Sequence, residues 1–444
     1  MKRIFVMGIV TIAVLSGSSG VSAQRGTPTV TPTPIDDSQL QVSFTTVGGV
    51  DGASILRTTR TIPHWWGATL DPQDGITYGY NIVGADPSTC AGDACDVTVE
   101  VDITPIDLRI GGMTFRGSDV IGATLASPQF ALNDYGFTPY ATTDPWGLSK
   151  RGPGGVLSQE DAGIPLQFQD ATMRAQFGKT GASPYHLRLH PNVFPTVTID
   201  VPQGEGVLFL TPRGVVFVGV EINWFEATLQ HLETSANPTH LALDLTDDTI
   251  AGSPHGRFPC WCVVGFHGAL AAAPVLGGIT ASGHSNGNAP VQTFAWTSYL
   301  SPGLIARPDG GTEWPLQDID VLSHEISEWA NDPYASNTVE PWPFVPGFPQ
   351  YGCSPSLETG DPAGSGAFAM GVNTFRQGPN PNGSQSADGY YHPEDVVTLP
   401  WFMRQAPNLV SEPTQTPSAN VGRYTFMGSL EQYAPLNAPP PPCQ

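Results

Sequence analysis

The sequence predicts an α+β protein, with a β-rich front half followed by a region in which helices and strands alternate. Three observations predict it. Gly (50) and Pro (44) make up about a fifth of the 444 residues, which divides the chain into short elements joined by turns. Hydrophobic residues still amount to 40%, enough for a core and too many for a low-complexity disordered chain. Past about Val216 the apolar pattern changes from a period of two to helical spacing.

Residues 1–23 read as a secretory signal peptide. Lys2 and Arg3 precede an apolar run at 4–15, and the small-residue segment ends in Val21-Ser22-Ala23. The run is too short to span a bilayer. A Thr/Pro-rich linker, 24–40, follows, extended by composition. The β-rich N-terminal domain is expected at 41–215. Segment 97–108 (VTVEVDITPIDL) alternates apolar and polar residues as a half-buried strand does, 193–201 and 207–210 are similar, and one helix is expected at 168–177. The second domain, 216–444, opens with a helix at 223–233. Strands at 241–245, 262–266 and 293–299 come next, then a helix at 317–331 ended by Pro333, and a C-terminal helix near 394–405.

Forty acidic residues face 18 basic ones, a net charge of −22, and only three of the bases are lysines. Such a chain cannot assemble a basic face, which excludes nucleic acid as a partner. The apolar stretch 268–281 is interrupted by Pro274 and several glycines, so no stable membrane anchor is expected. The six cysteines, an even number, suit a secreted protein in an oxidising space and are read as disulfides. Cys90 and Cys95 flank a four-residue loop and suggest a local bridge. Cys260 and Cys262 lie on one face of a strand and are expected to reach Cys353 and Cys443, with the pairing left open.

The segment 321–333 (VLSHEISEWANDP) carries the chemistry. At 100° per residue, His324 and Glu328 project from one helix face about a turn apart, where two groups can hold one metal ion. Glu325, one position on, is placed to act as general base on a metal-activated water, the logic of H-E-x-x-H peptidases with a carboxylate in place of the second histidine. Catalytic zinc takes three protein ligands. The turn 357–362 (LETGDP) offers Glu358 as third ligand, while Asp361 and Asp332 are placed to orient the ligands or close the loop. Carboxylate for imidazole also admits calcium or another divalent cation. An amphipathic helix with His and Glu on a solvated face is the plain alternative. Leu322, Ile326 and Trp329 argue against it by placing this helix in a core.

These residues, with 339–342, Tyr351-Gly352-Cys353, 357–362 and Trp401-Phe402-Met403-Arg404-Gln405, resemble a family of secreted bacterial proteins of zincin-like architecture. The Ser323-His324-Glu325 start with Glu328, and Glu358 followed by Gly360-Asp361, are also similar to phosphate-induced, Exordium-like secreted proteins. The resemblance covers about 216–443 and, more loosely, 169–177 and 195–202. It implies a zincin-like α/β metallopeptidase domain, zinc as cofactor, and an extracellular peptide or protein as substrate.

Other candidates carry less. His392, in GYYHPE, is placed to stabilise an oxyanion or bind substrate, against the plainer reading of a surface histidine near a helix start. His267 reads as a partly buried, satisfied histidine at a strand end. His186 and His190 have i, i+4 spacing, but Pro184, Pro191 and alternating leucines make the segment a strand and discard them as ligands. For His64-Trp65-Trp66, core packing outweighs carbohydrate stacking. Two functions compete: a secreted metal-dependent hydrolase, and a non-catalytic extracellular binding module whose metal site is degenerate or holds structural calcium.

Overall fold

In this computed structural model, residues 29–48, 60–135, 163–179, 181–252, 261–271, 290–305, 316–343, 352–363, 366–375, 389–406 and 424–426 are described. The signal segment, the start of the linker, Cys260 and Cys443 lie outside them.

The centre is a mixed sheet, twelve-stranded among the described residues. Six of its strands position the site: β1 (Asp96–Ile110), β2 (Val216–Glu221), β3 (Leu241–Asp247), β4 (Thr249–Gly252), β5 (Trp261–Ala271) and β6 (Val291–Tyr299), side by side in the order β2-β4-β5-β6-β3-β1. β4 and β6 run antiparallel to β5, whereas β2 is parallel to β4, and β3 is parallel to both β6 and β1. Gly206–Leu210 extends the sheet beyond β2, and His186–Val193 and Val197–Asp200 extend it along β1. Leu40–Gly48 pairs in parallel with β5. Hydrogen bonding is therefore continuous across residue 216, where the sequence pattern changes.

Five helices occur among the described residues: α1 (Gly117–Ala126), α2 (Phe168–Gln176), α3 (Ile222–Glu233), α4 (Asp320–Asn331) and α5 (Leu399–Phe402). Strand alternation divides the sheet into two buried faces. Leu241, Leu243, Leu245 and Ala295 join a core with Ile326 and Trp329 of α4. Ala242, Phe266, Phe294 and Trp296 join a second core with Phe225 and Leu229 of α3. α4 is thus on one face and α3 on the other. Indole hydrogen bonds pin both cores: Trp329 Nε1 donates to Thr293 Oγ1 and Trp296 Nε1 to Thr246 Oγ1, each at 3.0 Å.

The strong elements fall where the sequence puts them, and three details differ. The predicted strand 193–201 is two strands, ending at Val193 and restarting at Val197. The helix α1 was not anticipated, its Gly117 and Gly122 and several β-branched residues being poor helix signals. The predicted helix 394–405 is a single turn, α5, because Glu394 and Val397 form bridges with Ala367 and Thr425 and hold that segment extended until Pro400 opens the turn. Cys90 and Cys95 form a disulfide, as their spacing predicts, and Cys262 and Cys353 each take part in a disulfide as well.

Under the end of α3, Glu233 faces Asp244 of β3. Burial, which disfavours charge, pushes Glu233 up to about 7, and burial together with the Glu233 charge pushes Asp244 well above the ordinary carboxylate range. A proton retained in the folded state and lost in the unfolded chain stabilises at low pH, so this contribution is full below about pH 4.5 and disappears as pH rises to about 7. Glu233→Gln is expected to flatten the fall in stability across that window, by at most about 3 kcal/mol in urea unfolding at pH 5 against pH 8.

Candidate metal centre

α4 is buried along its whole length, polar side chains included. A helix buried all round needs internal partners for those groups. On one side α2 provides them: Ser327 Oγ donates to Gln169 Oε1 at 3.1 Å, and Gln176 Nε2 donates to Asn331 Oδ1 at 2.8 Å. The other side meets β5 and the segments around Asp361 and Glu394, and there the partners are ionisable.

His324 and Glu328 meet as the i, i+4 spacing requires, with Nε2 3.0 Å from Glu328 Oε1. Asp361 Oδ1 lies 3.9 Å from the same Nε2. The backbone N–H groups of Gly360 and Asp361 each donate to Glu328 Oε1 at 3.2 Å, which docks the acidic turn on the helix. Residue 360 has to be glycine, since a Cβ there would overlap the His324 imidazole. Behind the ring, His324 Nδ1 is 2.5 Å from Glu394 Oε2, and the Glu394 N–H donates to Ser323 Oγ at 2.8 Å.

A second histidine comes from the sheet. Phe266 faces α3, so alternation turns Gly265 and His267 toward α4. His267 Nδ1 lies 3.5 Å from Glu325 Oε2 and 3.5 Å from Glu328 Oε2, and its Nε2 lies 3.8 Å from Glu358 Oε2. Gly265 permits this approach, because a Cβ on it would stand 2.6 Å from Glu325 Oε1 and 2.7 Å from Val321 Cγ1. Among the described residues, neither ring nitrogen of His267, neither oxygen of Glu325 and neither oxygen of Glu358 has a hydrogen-bond partner, although all three residues are buried.

Asp320, Glu325, Glu328, Asp332, Glu358 and Glu394 are buried, and the Asp361 side chain is only 11% exposed. The strongest opposite charges acting on this group are histidines. Burial first, then neighbouring carboxylates, pushes Asp320, Glu358 and Asp361 well above the ordinary range. Burial raises Glu325 to about 7 despite His267 and His324. For Glu328 burial acts in the same sense, but His324 and His267 outweigh it and hold the carboxyl below the ordinary range. Burial works to lower both imidazoles, and the surrounding carboxylates overcome it and raise them well above the usual histidine value. These buried carboxylates and imidazoles include groups that could hold a metal ion.

Two sets of side chains offer ligand atoms within 4.8 Å of one another here: His324, Glu328 and Asp361, and His267, Glu325 and Glu328. Among the expected site residues, the structure brings His324, Glu328 and Asp361 together, whereas Glu325 and Glu358 face His267. Asp332 sits at the C-cap of α4 and accepts from the N–H groups of Ser336 and Asn337, closing the loop after the helix; burial pushes it up to about 6 against those bonds. His392 has its own carboxylate, with Nδ1 2.8 Å from Asp318 Oδ2. His186 and His190 lie on a strand and pair separately with Asp170 and Glu100. Trp65 is partly buried against the core, but Trp66 is 60% exposed, so core packing accounts for only one of the two. Sequence reasoning passed over His267 and did not see Glu394. The first had a signal, its parity with Gly265 opposite Phe266; the second, in a loop 70 residues from His324, had none. No protein-family model, curated protein or solved structure matches the chain.

Proposed function

We propose that the protein is a secreted metal-dependent hydrolase, a peptidase acting on extracellular peptide or protein. The observation that carries this reading is the buried set of seven carboxylates around two imidazoles, with His324 Nε2 and Glu328 Oε1 3.0 Å apart on one helix face. Two ligands held at about 2.0–2.1 Å by one tetrahedral ion stand about 3.3 Å apart, so the His324, Glu328 and Asp361 atoms suit one small ion. Imidazole donors favour zinc or another transition ion over calcium.

Such an ion, when bound, polarises a carbonyl and acidifies water. Glu394 fixes the His324 ring so that Nε2 faces the ligand position. Glu325, next to His324 on α4 and with both oxygens unpartnered among the described residues, accepts the water proton. His392 is held at both ring nitrogens, by Asp318 at Nδ1 and by Gln317 Nε2 at 3.3 Å from its Nε2, and would bind a substrate oxygen only by exchanging the Gln317 contact. Asp361, the most exposed of the set, marks the side from which substrate enters. Glu325→Gln is expected to keep the ion held by His324, Glu328 and Asp361 and lose about 10²-fold or more in peptide cleavage. A wild type that binds no metal, or that cleaves no better than Glu325→Gln, overturns the reading. The deep burial of α4 favours a second reading, a non-catalytic binding module with a structural ion. Stoichiometric metal whose removal unfolds the protein, without turnover, would select it.

A further inference from the structure

The hydrolase reading uses one of the two ligand sets. His267 remains, a buried histidine on the middle of β5 that makes no hydrogen bond at either ring nitrogen among the described residues. Burying an imidazole without hydrogen bonds is costly, and its surroundings are three carboxylates rather than apolar groups. The two closest oxygens, on Glu325 and Glu328, both stand 3.5 Å from Nδ1. That is too long for a good hydrogen bond and close to the spacing of about 3.3 Å between two ligands of one tetrahedral ion.

Glu328 belongs to both sets and divides its oxygens between them. Oε1 faces His324, and Oε2 faces His267. Glu394 hydrogen-bonds the far nitrogen of His324, the arrangement that orients a metal-bound imidazole, while Glu358 lies 3.8 Å from the far nitrogen of His267, beyond hydrogen-bond distance. Charge points the same way. One divalent ion offsets two of seven carboxylates, and a second brings the cluster nearer to balance.

We propose that His267, Glu325 and Glu328 form a second transition-metal site, joined to the His324 site through the two oxygens of Glu328. The proposal rests on the His324 site described above and adds regulation to it. An ion at His267 takes Glu325 as a ligand and withdraws it from accepting a proton. The second ion therefore inhibits what the first permits, and hydrolysis follows the local concentration of free zinc.

The test is metal stoichiometry, which does not depend on turnover. The full chain, stripped with chelator and titrated with zinc, is expected to bind two equivalents, and His267→Gln to bind one. Asp361→Asn, a change at the partly exposed rim, is expected to lose the other equivalent and keep this one, which keeps the test informative if the core variant fails to fold. At two equivalents of manganese, the paramagnetic resonance spectrum is expected to be that of a coupled pair rather than of isolated ions. Cleavage should rise with the first zinc equivalent and fall about tenfold or more with the second. One equivalent in the wild type, or two retained by folded His267→Gln, overturns the second site and leaves the first standing. No equivalent in the wild type overturns both.

Discussion

Glu328→Ala is expected to abolish metal binding, with peptide cleavage falling by about 10³-fold or more, since an ion supplies several kcal/mol of transition-state stabilisation. Glu328 lies 3.0 Å from His324 Nε2 through one oxygen and 3.5 Å from His267 Nδ1 through the other. The alanine variant also has a structural cost. Glu328 Oε1 accepts from the N–H groups of Gly360 and Asp361, and losing it strands one buried donor at about 1–3 kcal/mol and one part-buried donor at less. Glu328→Gln separates the two effects. Its carbonyl oxygen still receives both N–H groups, so the fold is retained, but its neutral amide is a poor ligand. Metal content by elemental analysis and the thermal midpoint distinguish them: the glutamine variant should be metal-poor and folded, the alanine variant metal-poor and less stable. A glutamine variant that holds full metal would remove Glu328 from the ligand set.

Gly360→Ala should be the most damaging single methyl in the site. The added Cβ overlaps three atoms of the His324 ring, and that ring has no room to retreat, held between Glu394 and Glu328. Either the turn carrying Asp361 lifts off α4 or the imidazole leaves its ligand position. Overpacking of a rigid core costs about 3 kcal/mol or more at the upper end of its range, and metal affinity should fall with it. Denaturant unfolding and zinc titration of the variant check both. Wild-type stability with intact metal binding would show that the turn is looser than the structure places it.

The helix that organises the site was legible because its signal is local. H-E-x-x-E at helical spacing, apolar Leu322, Ile326 and Trp329, and Pro333 as terminator all fall within thirteen residues. The acidic turn was also legible as a source of carboxylates, but the allocation of Glu358 to His267 and Asp361 to His324 depends on how the turn docks. β5 shows why His267 escaped. Both sheet faces are covered by helices, so residues 262–269 are buried without interruption, and no polar alternation marks which face a residue takes. Glu394 escaped for the opposite reason. Its segment reads as a helix start, yet bridges to distant residues hold it extended and aim the carboxylate at His324.

The order of strands in the central sheet also governs when the protein can fold. β1 lies between His186–Val193 and β3, and Leu40–Gly48 has its partner in β5, more than two hundred residues later. Parallel pairings between such distant segments require large loops to close before any contact rewards them, which makes folding slow. The first two hundred residues to emerge during synthesis therefore cannot complete their sheet, and the nascent chain stays open until β6 has been made.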